Sequence, residues 1–114
     1  MASKADKRIE AFRASYLPKL IDSYRPIRVL VFGSRANGYP LKESDLDLLV
    51  VSKSFQGVPF IQRAPQLLWS LQVPFPIEVL CYTPEEYERK REEIGIVKVA
   101  SEEGLDLLDD QNHL

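Results

Sequence analysis

Cysteine and histidine each occur once in this chain of 114 residues, as Cys81 and His113. A single cysteine excludes an intramolecular disulfide framework and a cysteine-cluster metal site, and it points to a reducing compartment. His113 lies next to the C-terminus, where neither a histidine ligand nor a general base is expected. No linker rich in Gly or Ser, low-complexity tract or internal repeat interrupts the sequence. No apolar run approaches the ~18 residues of a membrane span, and "MASKADKRIEAF" lacks the apolar core of a signal peptide. The expectation is a soluble, cytoplasmic protein. Positive charge is not in excess either: 15 basic against 17 acidic residues leave a net charge of -2, which argues against wrapping duplex nucleic acid. What is present suffices for one core, with 45% hydrophobic residues, and the expectation is a single domain over residues 1–114.

Apolar residues at Ile9, Phe12, Tyr16, Leu17, Leu20 and Ile21 recur at helical spacing, so a helix is expected from about Ala5 to Tyr24, kinked or split at Pro18. "IRVLVFG", "SDLDLLVVSK" and "PIEVLCYT" are short, apolar and β-branched, and read as strands. Between the last two, Val58–Leu71 reads as a helix interrupted at Pro65, with Leu67, Leu68 and Trp69 as core or subunit-contact residues. Thr83, Pro84 and Glu86 form a helix start with a capping box. "IVKVASEEGLDLLDD" reads as a short helix ended by Gly104 and then a short strand. The order predicts an α/β or α+β fold, a small mixed sheet flanked by helices.

One stretch, "VFGSRANGYPLKESDLDLLVV", combines features that need a chemical explanation. Strand alternation places Asp45 and Asp47 on one face with Leu49 and Val51, and Leu46, Leu48 and Val50 on the other. Two carboxylates so placed repel, and one pKa rises unless a cation compensates; magnesium takes such oxygens readily. Glu78 is the only charge in "PIEVLCYT" and would join them if the two strands are neighbours. Three converging acids suit a two-metal phosphoryl-transfer site. Separately, each has a plainer reading: solvated acids at a strand start for Asp45 and Asp47, and an edge-strand charge against aggregation for Glu78. Gly33 and Ser34 follow a buried strand, where a glycine permits close approach of a ligand and a serine caps a short helix as an anion site. Arg35 adds a phosphate donor or, alternatively, pairs with Glu43.

Taken together, these residues resemble the signature of the minimal nucleotidyltransferases, within the polymerase-β-like superfamily. Their pattern is Gly-Ser, ten residues, then Asp-x-Asp, and here Arg35 to Ser44 are the ten between Ser34 and Asp45. The likeness runs from about Val29 to Glu88 and includes "YTPEEYE". The resemblance implies transfer of a nucleoside monophosphate, AMP from Mg-ATP, with release of pyrophosphate. Asp45 and Asp47 would hold two Mg²⁺ ions, Glu78 would help bind the one activating the acceptor hydroxyl, and Gly33, Ser34 and Arg35 would cradle the β and γ phosphates. Two positions depart from the family pattern: Asn37 stands where many relatives are basic, and Glu78 where Asp is common.

The resemblance also implies a partner, because minimal members are often paired with a small helical HEPN-type protein, as antitoxin to its toxin. The acceptor hydroxyl would then lie on that protein, in a homo- or hetero-oligomer. Two other readings stay open: a binding module that silences a HEPN-type partner by occlusion, and a transferase for a small acceptor such as an aminoglycoside.

Overall fold

The computed structural model describes residues 6–33 and 45–112, with side chains through Asp109. Asp6 opens the first helix, α1 (Lys7–Ser15), by accepting hydrogen bonds from the amides of Arg8 and Ile9 at 2.9 and 3.1 Å. The expected long helix is split: Tyr16 ends α1, and Pro18 sits in the first turn of α2 (Leu17–Tyr24), where its missing amide costs nothing. Strands β1 (Arg28–Phe32) and β2 (Leu46–Val51) follow, then a turn of 3-10 helix at Lys53–Phe55 and helix α3 (Phe60–Leu71). Strand β3 (Ile77–Tyr82), helices α4 (Pro84–Lys90) and α5 (Ile96–Glu103), strand β4 (Leu105–Asp106) and helix α6 (Leu107–Asn112) complete the chain.

The four strands form one sheet in the order β3-β2-β1-β4. β1 runs antiparallel to β2 and β4, and β2 parallel to β3, with α3 as the crossover that parallel neighbours require. The expected small mixed sheet flanked by helices is therefore what forms. Leu46, Leu48 and Val50 of β2 turn with Val29, Val31, Val79 and Cys81 toward a core filled by α1, α2, α3 and α6. The opposite face carries Leu30, Phe32, Leu49, Val51 and Tyr82 beneath Tyr87, Val97 and Ala100 of α4 and α5. Among the described residues no helix is long and apolar enough to cross a membrane.

Two local expectations are corrected. α3 passes through Pro65 without a break; the proline faces solvent, so the carbonyl it leaves unbonded is free to hydrate. Trp69, expected as core or subunit contact, is 77% exposed and so lies outside the core. The buried side of α3 is set by Arg63, Leu67 and Leu71, four residues apart, and Trp69 lies on the far side of the turn. The short strand expected after Gly104 forms as β4, and Asp106 then accepts from the amide of Leu108 at 3.0 Å to begin α6, a helix that the sequence did not announce.

Candidate active site

Asp47 and Glu78 are brought together by strand register alone. In the parallel β2–β3 ladder Asp47 is the partner of Glu78, and in the antiparallel β1–β2 ladder it is the partner of Phe32. Paired residues share a face, so both acids point to the side that carries Leu49 and Leu80. Leu49 and Val51 are fully buried along that face, whereas Asp47 is half-buried and Glu78 exposed. The carboxylates thus stand where the cover of α4 and α5 gives out. Their register across adjacent strands brings the Asp47 and Glu78 carboxylates close enough to repel, which a proton on one of them or a cation between them would relieve.

Burial and the negative charges of Glu78 and Asp45 push the Asp47 carboxyl above its ordinary value of 3.8. No described cation opposes them. A nearby cation would lower this cost, and an all-carboxylate donor set suits a hard ion such as Mg²⁺. Asp45 lies one residue before β2 and is close enough to act on Asp47. The convergence is nonetheless looser than the expected trio: among the described residues, no three His, Cys, Asp or Glu side chains form a group able to hold a metal ion. Asp47 and Glu78 meet, and Asp45 stands beside them.

Gly33 follows β1 with φ +80°, the left-handed region in which a side chain is strained. A Cβ built there would sit 2.6 Å from Oδ2 of Asp47. Its expected role was to let a ligand approach the backbone, and the group found closest to that missing Cβ is the Asp47 carboxylate itself. Ser34 and Arg35, expected to bind phosphate, lie outside the described residues, as do Asn37 and His113.

A buried cation that the sequence reading did not single out braces the other end of β3, away from the acids. Arg63 of α3 donates to both carboxylate oxygens of Glu86 at 2.6 and 3.2 Å, to the carbonyl of Val58 at 2.8 Å and to that of Cys81 at 3.1 Å. Through Cys81 it satisfies a carbonyl on the free edge of β3, and through Glu86 it holds the start of α4. These bonds keep the Glu86 carboxyl below its usual range. Glu86 also closes the capping box, accepting from the amide of Thr83 at 2.9 Å while its own amide donates to the Thr83 hydroxyl at 3.2 Å. The box was legible in the sequence, but its second use was not. Burial pushes the Cys81 thiol up to about 12, so it offers no thiolate at neutral pH and fills core on the face away from Glu78.

Comparison with known proteins adds an independent line. The sequence model of the Nucleotidyltransferase domain matches residues 15–108. Among solved structures, the chain resembles a provisionally named nucleotidyltransferase from Sulfolobus solfataricus, with a TM-score of 0.53, 20% identity, and coverage of 78% of this chain and 80% of that one. At that identity the likeness speaks for the fold. BolA1 from Arabidopsis thaliana (TM-score 0.49, 19% identity, 71% of this chain and 96% of that one) overlaps less well. So does the BolA domain of SufE1 from the same plant (0.48, 23% identity, 71% and 96%), and neither supports an inference. The curated proteins contain no match to the sequence.

Proposed function

Because the chain belongs to the nucleotidyltransferase domain family, we propose that it is a minimal nucleotidyltransferase that moves AMP from Mg-ATP to a hydroxyl acceptor on a HEPN-type partner, acting as its antitoxin. The supporting observation is the Asp47–Glu78 pair, held in register across two parallel strands with Asp45 alongside. In the reaction the acceptor oxygen forms a bond to the α-phosphorus, the bond from that phosphorus to the β-phosphate bridge breaks, and pyrophosphate leaves. Glu78, the most exposed of the three acids, is the one an incoming hydroxyl reaches first, and it receives or steers the released proton. Asp45 and Asp47, with Glu78, would hold Mg²⁺, which neutralises charge on the phosphates when bound. Gly33, Ser34 and Arg35 would bind the β and γ phosphates.

The test is to incubate the chain with α-labelled ATP, Mg²⁺ and the product of the adjacent gene. Label should appear on the partner and vanish with Asp47→Asn; label transferred equally by that variant would remove these residues from the chemistry. The looser placement of Asp45 favours keeping one alternative, silencing by occlusion. It makes the opposite forecast for a chain with both Asp45→Asn and Asp47→Asn: neutralisation of the partner that survives without the acids.

A further inference from the structure

The row of β3 side chains that begins at Glu78 ends, four residues on and on the same face, at Tyr82. At about 3.3 Å per residue, that end lies roughly 13 Å from the acids. There the start of α3, the end of β3 and α4 enclose a cleft of about 300 Å³, lined by Phe60, Tyr82, Glu86, Arg89 and Lys90. The Arg63 guanidinium pins all three elements. It donates to Glu86 of α4 and to the Cys81 carbonyl of β3, and it lies 5.7 Å from the centroid of the Phe60 ring. The cleft is therefore preformed, as small-molecule sites mostly are.

Its lining divides into an aromatic wall and a cationic one. The Phe60 and Tyr82 rings stand 5.4 Å apart at 34°, and Phe60 is 47% exposed. On the other side, Lys90 Nζ is 5.9 Å from the Tyr82 ring centroid, and Arg89 is exposed beside it. Glu86, the one acid of the cleft, has both oxygens taken by Arg63. Among the described residues Arg89 and Lys90 form no ion pair, so the charge left uncompensated is positive. Glu93 lines a smaller recess beyond Lys90 and does not pair with it.

We propose that this cleft is a second ligand site, apart from the acids of β2 and β3, for an anionic group carried on a flat aromatic ring. The ring gains offset or edge contact with Phe60 at centroid separations of about 4.5–7 Å. The anionic group then meets Arg89 and Lys90 as charge-assisted donors. An aliphatic anion forfeits the aromatic wall, and a neutral ring leaves the two cations without a counter-charge. Nucleoside monophosphates and aromatic carboxylates share the required chemistry. The inference does not rest on nucleotidyl transfer, because none of the residues assigned to that reaction lines the cleft.

Nuclear magnetic resonance titration of the isotope-labelled full chain tests it, at low salt and in EDTA, with AMP and naphthoate as separate probes. Adenosine, which lacks the anion, and inorganic phosphate, which lacks the ring, are the controls. At least one probe should give saturable shifts centred on Phe60, Tyr82, Arg89 and Lys90, with both controls at least tenfold weaker. The tighter probe tells a nucleotide from a carboxylate ligand. Phe60→Ala should weaken binding about tenfold, the order expected for loss of a stacking ring. Arg89→Gln alters only an exposed side chain and should weaken binding about threefold while flattening its salt dependence. Folding of both variants is checked by circular dichroism. Any of four results overturns the proposal: no saturation by either probe, shifts confined to the surroundings of Asp47, a control that binds as tightly as the probes, or an affinity that either variant leaves unchanged.

Discussion

Replacing Gly33 with alanine adds one methyl group, and the structure assigns it two separable penalties. The backbone sits at φ +80°, which costs an alanine roughly 1–2 kcal/mol. The new Cβ would also lie 2.6 Å from Oδ2 of Asp47, so the carboxylate must retreat by about 0.8 Å to reach the edge of ordinary contact at 3.4 Å. Overpacking of this kind costs about 1–3 kcal/mol, giving a total of about 2–5 kcal/mol. In an Asp47→Ala background the nearest remaining atom is the Asp47 Cβ at 3.8 Å, an ordinary contact, and only the backbone penalty survives. Unfolding in urea, followed by circular dichroism, should therefore show Gly33→Ala costing about 1–3 kcal/mol less in the Asp47→Ala chain than in the wild type. Displacing a reacting group by close to 1 Å lowers rates by about 100-fold, and label transfer by Gly33→Ala should fall by that order. Equal costs in the two backgrounds, or full transfer activity in the single variant, would refute the assignment of Gly33 as the floor beneath Asp47.

Other perturbations bear on the remaining parts of the account. Asp47→Asn should abolish transfer yet raise stability at neutral pH by up to about 1 kcal/mol after screening. The sign follows from the raised folded-state pKa: the contribution of Asp47 to wild-type stability is fully present below 3.8 and is lost as pH rises through the folded value, so the difference between variant and wild type should vanish in acid and grow above it. Arg63→Met should cost about 2–3 kcal/mol, below the full penalty for a broken buried pair because Glu86 is partly hydrated; a loss under about 0.5 kcal/mol in denaturant titrations would discount the clamp. Gly104→Ala would bring a Cβ within 2.5 Å of the Ala100 carbonyl and 3.1 Å of the Val31 carbonyl, and a loss of about 2 kcal/mol is expected by the same assay.

The strands and the candidate acids were legible in the sequence because both depend on a period of two. Short β-branched runs located β1, β2 and β3, and alternation put Asp47 and Glu78 on matching faces once the strands were taken as neighbours. The capping box at Thr83 was equally local. What escaped depends on contacts distant in sequence. Trp69 reads as core by composition, but Leu67 and Leu71 set the phase of α3 and turn it outward. Nothing near Arg63 announces a carboxylate 23 residues later, and nothing near Gly33 shows that Asp47 lies against it. The short strand after Gly104 was legible but the helix behind it was not: β4 has only Leu30 and Val31 to pair with, and the chain turns helical once those partners are used.

The central claim is that the acids at the head of β2 and β3 carry nucleotidyl transfer, and a two-label experiment tests it most directly. With Mg²⁺ and the HEPN-type partner present, ATP labelled at the α-phosphate should pass its label to the partner, while label at the γ-phosphate should appear only in pyrophosphate. Glu78→Gln and Asp47→Asn should each suppress both signals. Label carried to the acceptor from the γ-phosphate, or α-label transfer undiminished in both variants, would contradict the account.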